Sequence, residues 1–158
     1  MTEPTFKALV LEGKRLIKEN DLNGAARVFK KAYGLDKNDP ECMSYHGMCS
    51  AVRYGEIKFG LELCTMAIKK ECFKPEYYAN LARVYIAAGN KKGAITAITK
   101  GLKYEKGDEL LHHMLVDLGV RKKPVIGFFK RSNPLNKALG ILMRRTLPGI
   151  FKTKGPKK

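Results

Sequence analysis

Small and apolar positions recur along this chain at a spacing of 34 or 35 residues. Small residues stand at Gly13, Gly47 and Ala82. Twelve or thirteen residues after each comes another, Ala25, Gly60 and Ala94. Four positions on lie Phe29, Cys64 and Ile98, and three further Ala32, Ala67 and Gly101. Spacings of three and four place these residues on one helical face, and the longer gap holds a chain reversal. The pattern predicts an all-α chain of three helix-turn-helix units, about 6–39, 40–74 and 75–108. In the third unit Gly89-Asn90 supplies a turn tolerant of positive φ. The second unit carries one extra residue around Arg53-Tyr54-Gly55-Glu56, assigned to its turn. A further amphipathic helix over 108–119 continues the register, since His112 follows Tyr78 by 34 residues and Val116 follows Ala82 by 34. Asp108 is its expected N-cap and Gly119 its expected stop.

The other recurring slots sharpen the pattern. Leu9, Met43 and Tyr78 share one position; Glu12, His46 and Leu81 the next. Leu16, Ser50 and Tyr85 share a third, and Lys37, Cys72 and Lys106 close the units. The series resembles the tetratricopeptide repeat (TPR), with its W-x2-L-G-x2-Y, A-x3-F and final P. The third copy matches best, through Tyr78, Ala82, Tyr85, Ala94 and Ile98; the final proline is missing in all three. The resemblance covers about residues 6–108. It implies a right-handed superhelix of stacked repeats spanning 6–119, ended by a solvating cap helix.

The resemblance also implies a function, the binding of another protein's peptide or helix in a concave groove lined by the first helix of each repeat. Carried over by register, the groove residues are Lys7, Val10, Lys14 and Lys18, then Tyr45, Met48 and Val52, then Ala79, Asn80, Arg83 and Ala87. Lys14, Met48 and Arg83 are expected to form a column, with Lys14 and Arg83 binding carboxylates and Tyr45 and Met48 meeting apolar side chains. Chaperone-binding TPR proteins use a clamp of Lys and Asn here. This chain departs from it, with Met48 where a clamp Asn is expected and Lys14 in place of the other.

Charge changes the picture at the C-terminus. The net charge is +16, and all 15 acidic residues lie at or before Asp117. Residues 1–120 hold 19 Lys/Arg, a balance of +4, whereas residues 121–158 hold 12 and no acid. That asymmetry suggests a basic arm over 120–158 with an anionic partner, carried by Arg121, Lys122, Lys123, Lys130, Arg131, Lys137, Arg144 and Arg145. Within it, Val125 to Phe129 reads as extended, and Asn133-Pro134 as a helix start. Leu135, Ala138, Leu139 and Leu142 then form one apolar stripe, ended by Pro148-Gly149. Three readings follow: the stripe docks on the repeats, lies on an anionic membrane surface, or binds a partner. Nucleic acid is the weaker partner, because few aromatics are present to stack on bases and no nucleic-acid fold motif accompanies them.

Little else points to chemistry. Met1 to Lys18 is broken by charges and does not read as a signal peptide, so a cytoplasmic protein is expected. Cys64 fills an apolar slot, and a disulfide framework is not expected. Cys42, His46 and Cys49 fall on one helix face, yet no tight cysteine pair accompanies them, so no metal site is assigned. His112-His113 with Asp117 reads as a surface pair. No nucleophile elbow, P-loop or dinucleotide turn is present, and neither an enzyme nor a cofactor is expected.

Overall fold

In a computed structural model of the chain, residues 5–120 are described. The expectations for 121–158, the extended segment, the amphipathic helix and the basic residues Arg121 to Arg145 included, lie outside the described residues. The chain divides into two units, Met1–Val120 and Arg121–Lys158. Among the described residues all regular structure is helical: α1 (Phe6–Lys18), α2 (Leu22–Leu35), α3 (Pro40–Tyr54), α4 (Ile57–Lys70), α5 (Pro75–Ala87), α6 (Lys91–Tyr104) and α7 (Glu109–Asp117).

Polar caps and prolines start most of these helices. The carboxylates of Asp21, Asp39 and Asp108 accept from the N–H groups of Gly24, Cys42 and Leu111 at 2.8, 2.7 and 2.7 Å. Asn90 does the same for Gly93 at 2.8 Å. Each satisfies a donor that the helix itself leaves open. Pro40 and Pro75 open α3 and α5, where a missing N–H costs nothing.

The turns inside the three repeats share one device. Asn20, Gly55 and Gly89 all have positive φ, at 61°, 74° and 69°. They reverse the chain between α1 and α2, α3 and α4, and α5 and α6. The extra residue of the second repeat is not in this turn. Gly13 to Asn20 and Ala82 to Gly89 are each seven positions, but Gly47 to Gly55 is eight, so the insertion lengthens the last stretch of α3. Gly55 N–H bonding to Ala51 O, with Glu56 N–H bonding to Ser50 O, closes that longer helix.

Packing follows the small-residue pattern. Gly13 lets the Phe29 ring lie against α1, where an added Cβ would sit 2.6 Å from it. Gly47 and Gly60 bring α3 and α4 together, and a Cβ on Gly60 would fall 2.6 Å from the Gly47 carbonyl oxygen. One core joins Leu9, Ala25, Phe29, Cys42, Met48, Cys64 and Val84, and a second joins Ala79, Ala82, Ile98, Leu111 and Met114. The first core draws on all three repeats, reaching Val84 of α5, and the second joins the third repeat to α7, as stacking units require. In α7, Leu111 and Met114 are buried while Val116 is 63% exposed.

Candidate groove

The first helices of the repeats, α1, α3 and α5, share a groove of about 360 Å³. It is lined by Ile17, Asn20, Leu22, Met48, Val52, Arg83, Ile86 and Ala87. Its apolar floor is a ladder. Ile17, Val52 and Ile86 each stand three residues before the positive-φ residue of their turn. Val52 is 41% and Ile86 45% exposed, so the ladder is open to a partner. Register carry-over selects Val52, Met48, Arg83 and Ala87 but misses Ile17 and Ile86. The signal for those two lies in the spacing to the turn, once Asn20 is aligned with Gly55 and Gly89.

Arg83 is the cation of this lining. It is held by Asn80, whose Oδ1 accepts from Arg83 Nη1 at 2.9 Å. Asn80 Nδ2 in turn donates to Ser44 Oγ at 3.1 Å. Burial lowers the Arg83 pKa, with the Tyr45 and Cys49 side chains opposing, but a guanidinium remains charged at neutral pH. Among the described residues no carboxylate lies within ion-pair distance of it. Asn80, expected on the groove surface, is instead 1% exposed and spent on positioning Arg83. Its remaining donor and lone pair are enclosed with it, out of a ligand's reach. Val10 and Ala79 are also withdrawn from the groove, into the core, and Met48, expected to meet a ligand's apolar side chains, is only 2% exposed at the groove floor.

Lys14 does not join the lining with Met48 and Arg83 as a free cation. Its ammonium is paired with Glu41 of the first turn of α3 and lies 5.8 Å from the Tyr45 ring centre. Burial pulls the Lys14 pKa down, but the hydrogen bond and charge of Glu41, with the charges of Tyr45 and Glu76, outweigh it and raise the pKa overall. Tyr45 itself is buried, its ring stacked on Phe29 with centroids 5.0 Å apart. Burial raises its pKa; Lys14 and Arg83 oppose this, while Glu76 and Glu41 add to it. Lys7 and Lys18 are exposed at the two ends of α1, outside the lining.

The other candidates settle into structure. Cys42, Cys49 and Cys64 are buried, and burial pushes each thiol up to about 12. His46 packs between the rings of Tyr33 and Phe59, at 4.9 and 5.6 Å. Among the described residues no three potential ligands are grouped to hold a metal ion. His112 is exposed, its Nε2 2.8 Å from the Lys106 carbonyl oxygen. No helix among the described residues is long and apolar enough to cross a membrane.

No family model and no curated protein matches the sequence. Solved structures match the fold. The first TPR domain of Spaghetti (RPAP3), bound to an HSP90 peptide, aligns with a TM-score of 0.56 at 14% identity, covering 72% of this chain and 92% of that one. The second TPR domain of human RPAP3, in complex with an HSP70 peptide, aligns at 0.54 and 15%, covering 75% and 100%. This chain has the tetratricopeptide-repeat fold. An O-GlcNAc transferase mutant from Thermobaculum terrenum aligns at 0.64 and 18%, covering 92% of this chain but only 27% of that one.

Proposed function

We propose that this TPR chain is a non-enzymatic scaffold that holds a segment of another protein in the groove of α1, α3 and α5. The observation that carries the reading is the open ladder Ile17–Val52–Ile86 beside an arginine with no ion-pair partner among the described residues. Apolar side chains of a peptide or helix gain by leaving water on such a floor. A carboxylate on the same segment gains a charge-assisted bond from Arg83. The peptide complexes of Spaghetti and human RPAP3 support the class of ligand. The basic arm, with 12 Lys/Arg and no acid over 121–158, adds a contact to an acidic face of the partner.

Capture from a nuclease-treated lysate by the full chain tests this. A Val52→Asp, Ile86→Asp variant should lose the partner while keeping its helical circular dichroism. Replacing Lys137, Arg144 and Arg145 by Glu should weaken capture but leave the same protein bound. Capture indifferent to the groove variant and abolished by the arm variant would move the function to the arm. Sedimentation of the chain with anionic vesicles would then decide for the membrane-surface reading.

A further inference from the structure

The ladder of the groove lies near the turns. Toward the other end of α1, three residues before Ile17 and outside the lining, Lys14 reaches Glu41 in the first turn of α3; Glu76 occupies the equivalent position of α5. Arg83 in the lining and Lys14 beyond it are two cations in different states. Arg83 carries a hydrogen bond to a neutral amide and no carboxylate. Lys14 carries the carboxylate of Glu41 and feels the charge of Glu76 as well.

We propose that Glu41 is a specificity residue of this groove, acting by occupying Lys14. A ligand carboxylate approaching Lys14 would have to displace one that is already tethered, and it would meet the charge of Glu41 as it did so. Like charges brought together oppose binding, so this end rejects a second acid. Arg83 remains as the single carboxylate site of the groove. The ligand that fits is an apolar segment bearing one acidic group next to its anchor, rather than a chain end rich in carboxylates. The inference rests on the peptide-binding reading above and narrows its partner.

The probe is the fluorescein-labelled peptide Ser-Arg-Met-Glu-Glu-Val-Asp, the acidic segment seen with Spaghetti. Its affinity is measured by fluorescence anisotropy against the full chain, Glu41→Gln, Glu41→Gln with Lys14→Met, and Glu62→Gln. Glu62 is exposed on α4, a helix that contributes no residue to the groove lining, and its variant makes the same change in net charge. Glu41→Gln is expected to bind about tenfold more tightly than the unaltered chain, as removal of one like charge at close range allows. The Lys14→Met second change should abolish that gain, and Glu62→Gln should show none. Glu41→Gln within about twofold of the unaltered chain would overturn the proposal. So would a gain that survives Lys14→Met, or one matched by Glu62→Gln. These failures leave the scaffold reading standing if the Val52→Asp, Ile86→Asp variant still loses the partner. If that variant captures normally, the groove reading itself fails.

Discussion

The glycines of this chain do opposite jobs that only their neighbours distinguish. Gly34 sits in α2 with open space where a Cβ would go, whereas the Cβ of an alanine at Gly60 would meet backbone of α3. Gly34→Ala should therefore stabilise the protein by about 0.5–1 kcal/mol, since it removes backbone freedom from the unfolded chain at no steric cost. Gly60→Ala should destabilise it by about 1–3 kcal/mol, because two helices must separate. Urea midpoints of the two variants check both signs. His46 gives a second contrast. Its Nδ1 is buried without a hydrogen-bond partner. Burial holds its pKa below the ordinary 6.5, with Glu56 opposing and Lys30 adding to the effect. The unfolded chain therefore takes up a proton that the folded chain refuses. Stability should fall as pH drops below about 6.5 and level off only under the folded pKa. His46→Phe should flatten that part of the urea-midpoint profile; an unchanged slope would show that His46 is not its source. The sequence places His46 in a core slot. It does not show that the ring is enclosed by Tyr33 and Phe59, because those contacts join three helices.

Helix starts and stops are the most legible features of the elements. Asp108 caps α7 and Gly119, at φ 72°, stops it, as the sequence leads one to expect. Side-chain caps and glycine stops act over three or four residues, so they can be read without tertiary knowledge. The insertion in the second repeat is misplaced by sequence reasoning for the opposite reason. The spacing from Gly47 to Gly60 is the same whether the extra residue extends the helix or the turn, so spacing does not place it; the structure has it in α3. Among the described elements the last should be the loosest. α7 has nine residues and buries only Leu111 and Met114. Its amides should exchange faster than those of α3, where ten residues are buried. Leu111→Ala should cost about 2–5 kcal/mol and raise exchange in α7 and α6 first. Uniform exchange along the chain would contradict that order.

At the scale of the whole molecule, the proposed scaffold would meet its partner through two contacts of different physics: the apolar groove and the basic residues of 121–158. Contacts of exposed charges are screened within a Debye length, about 10 Å at 0.1 M salt, whereas apolar burial is not. Raising salt from about 0.1 to about 0.5 M should therefore remove the arm's share of partner binding and leave the groove's share. Binding by the variant with Lys137, Arg144 and Arg145 replaced by Glu should then be nearly independent of salt, which titration at the two salt levels measures. The repeat number, the small-residue slots and the charge asymmetry were determined by the sequence alone, because each depends on residue type at a fixed spacing. The tertiary structure decided which polar residues of the groove are free. Lys14, Asn80 and Arg83 share neighbouring faces in sequence, yet Glu41 pairs with the first, Ser44 and Arg83 bond to the second, and the third has no carboxylate partner among the described residues. Glu41 and Ser44 both belong to α3, whereas Lys14 lies on α1 and Asn80 on α5. A hydrogen bond or ion pair between helices exists only once the helices have packed.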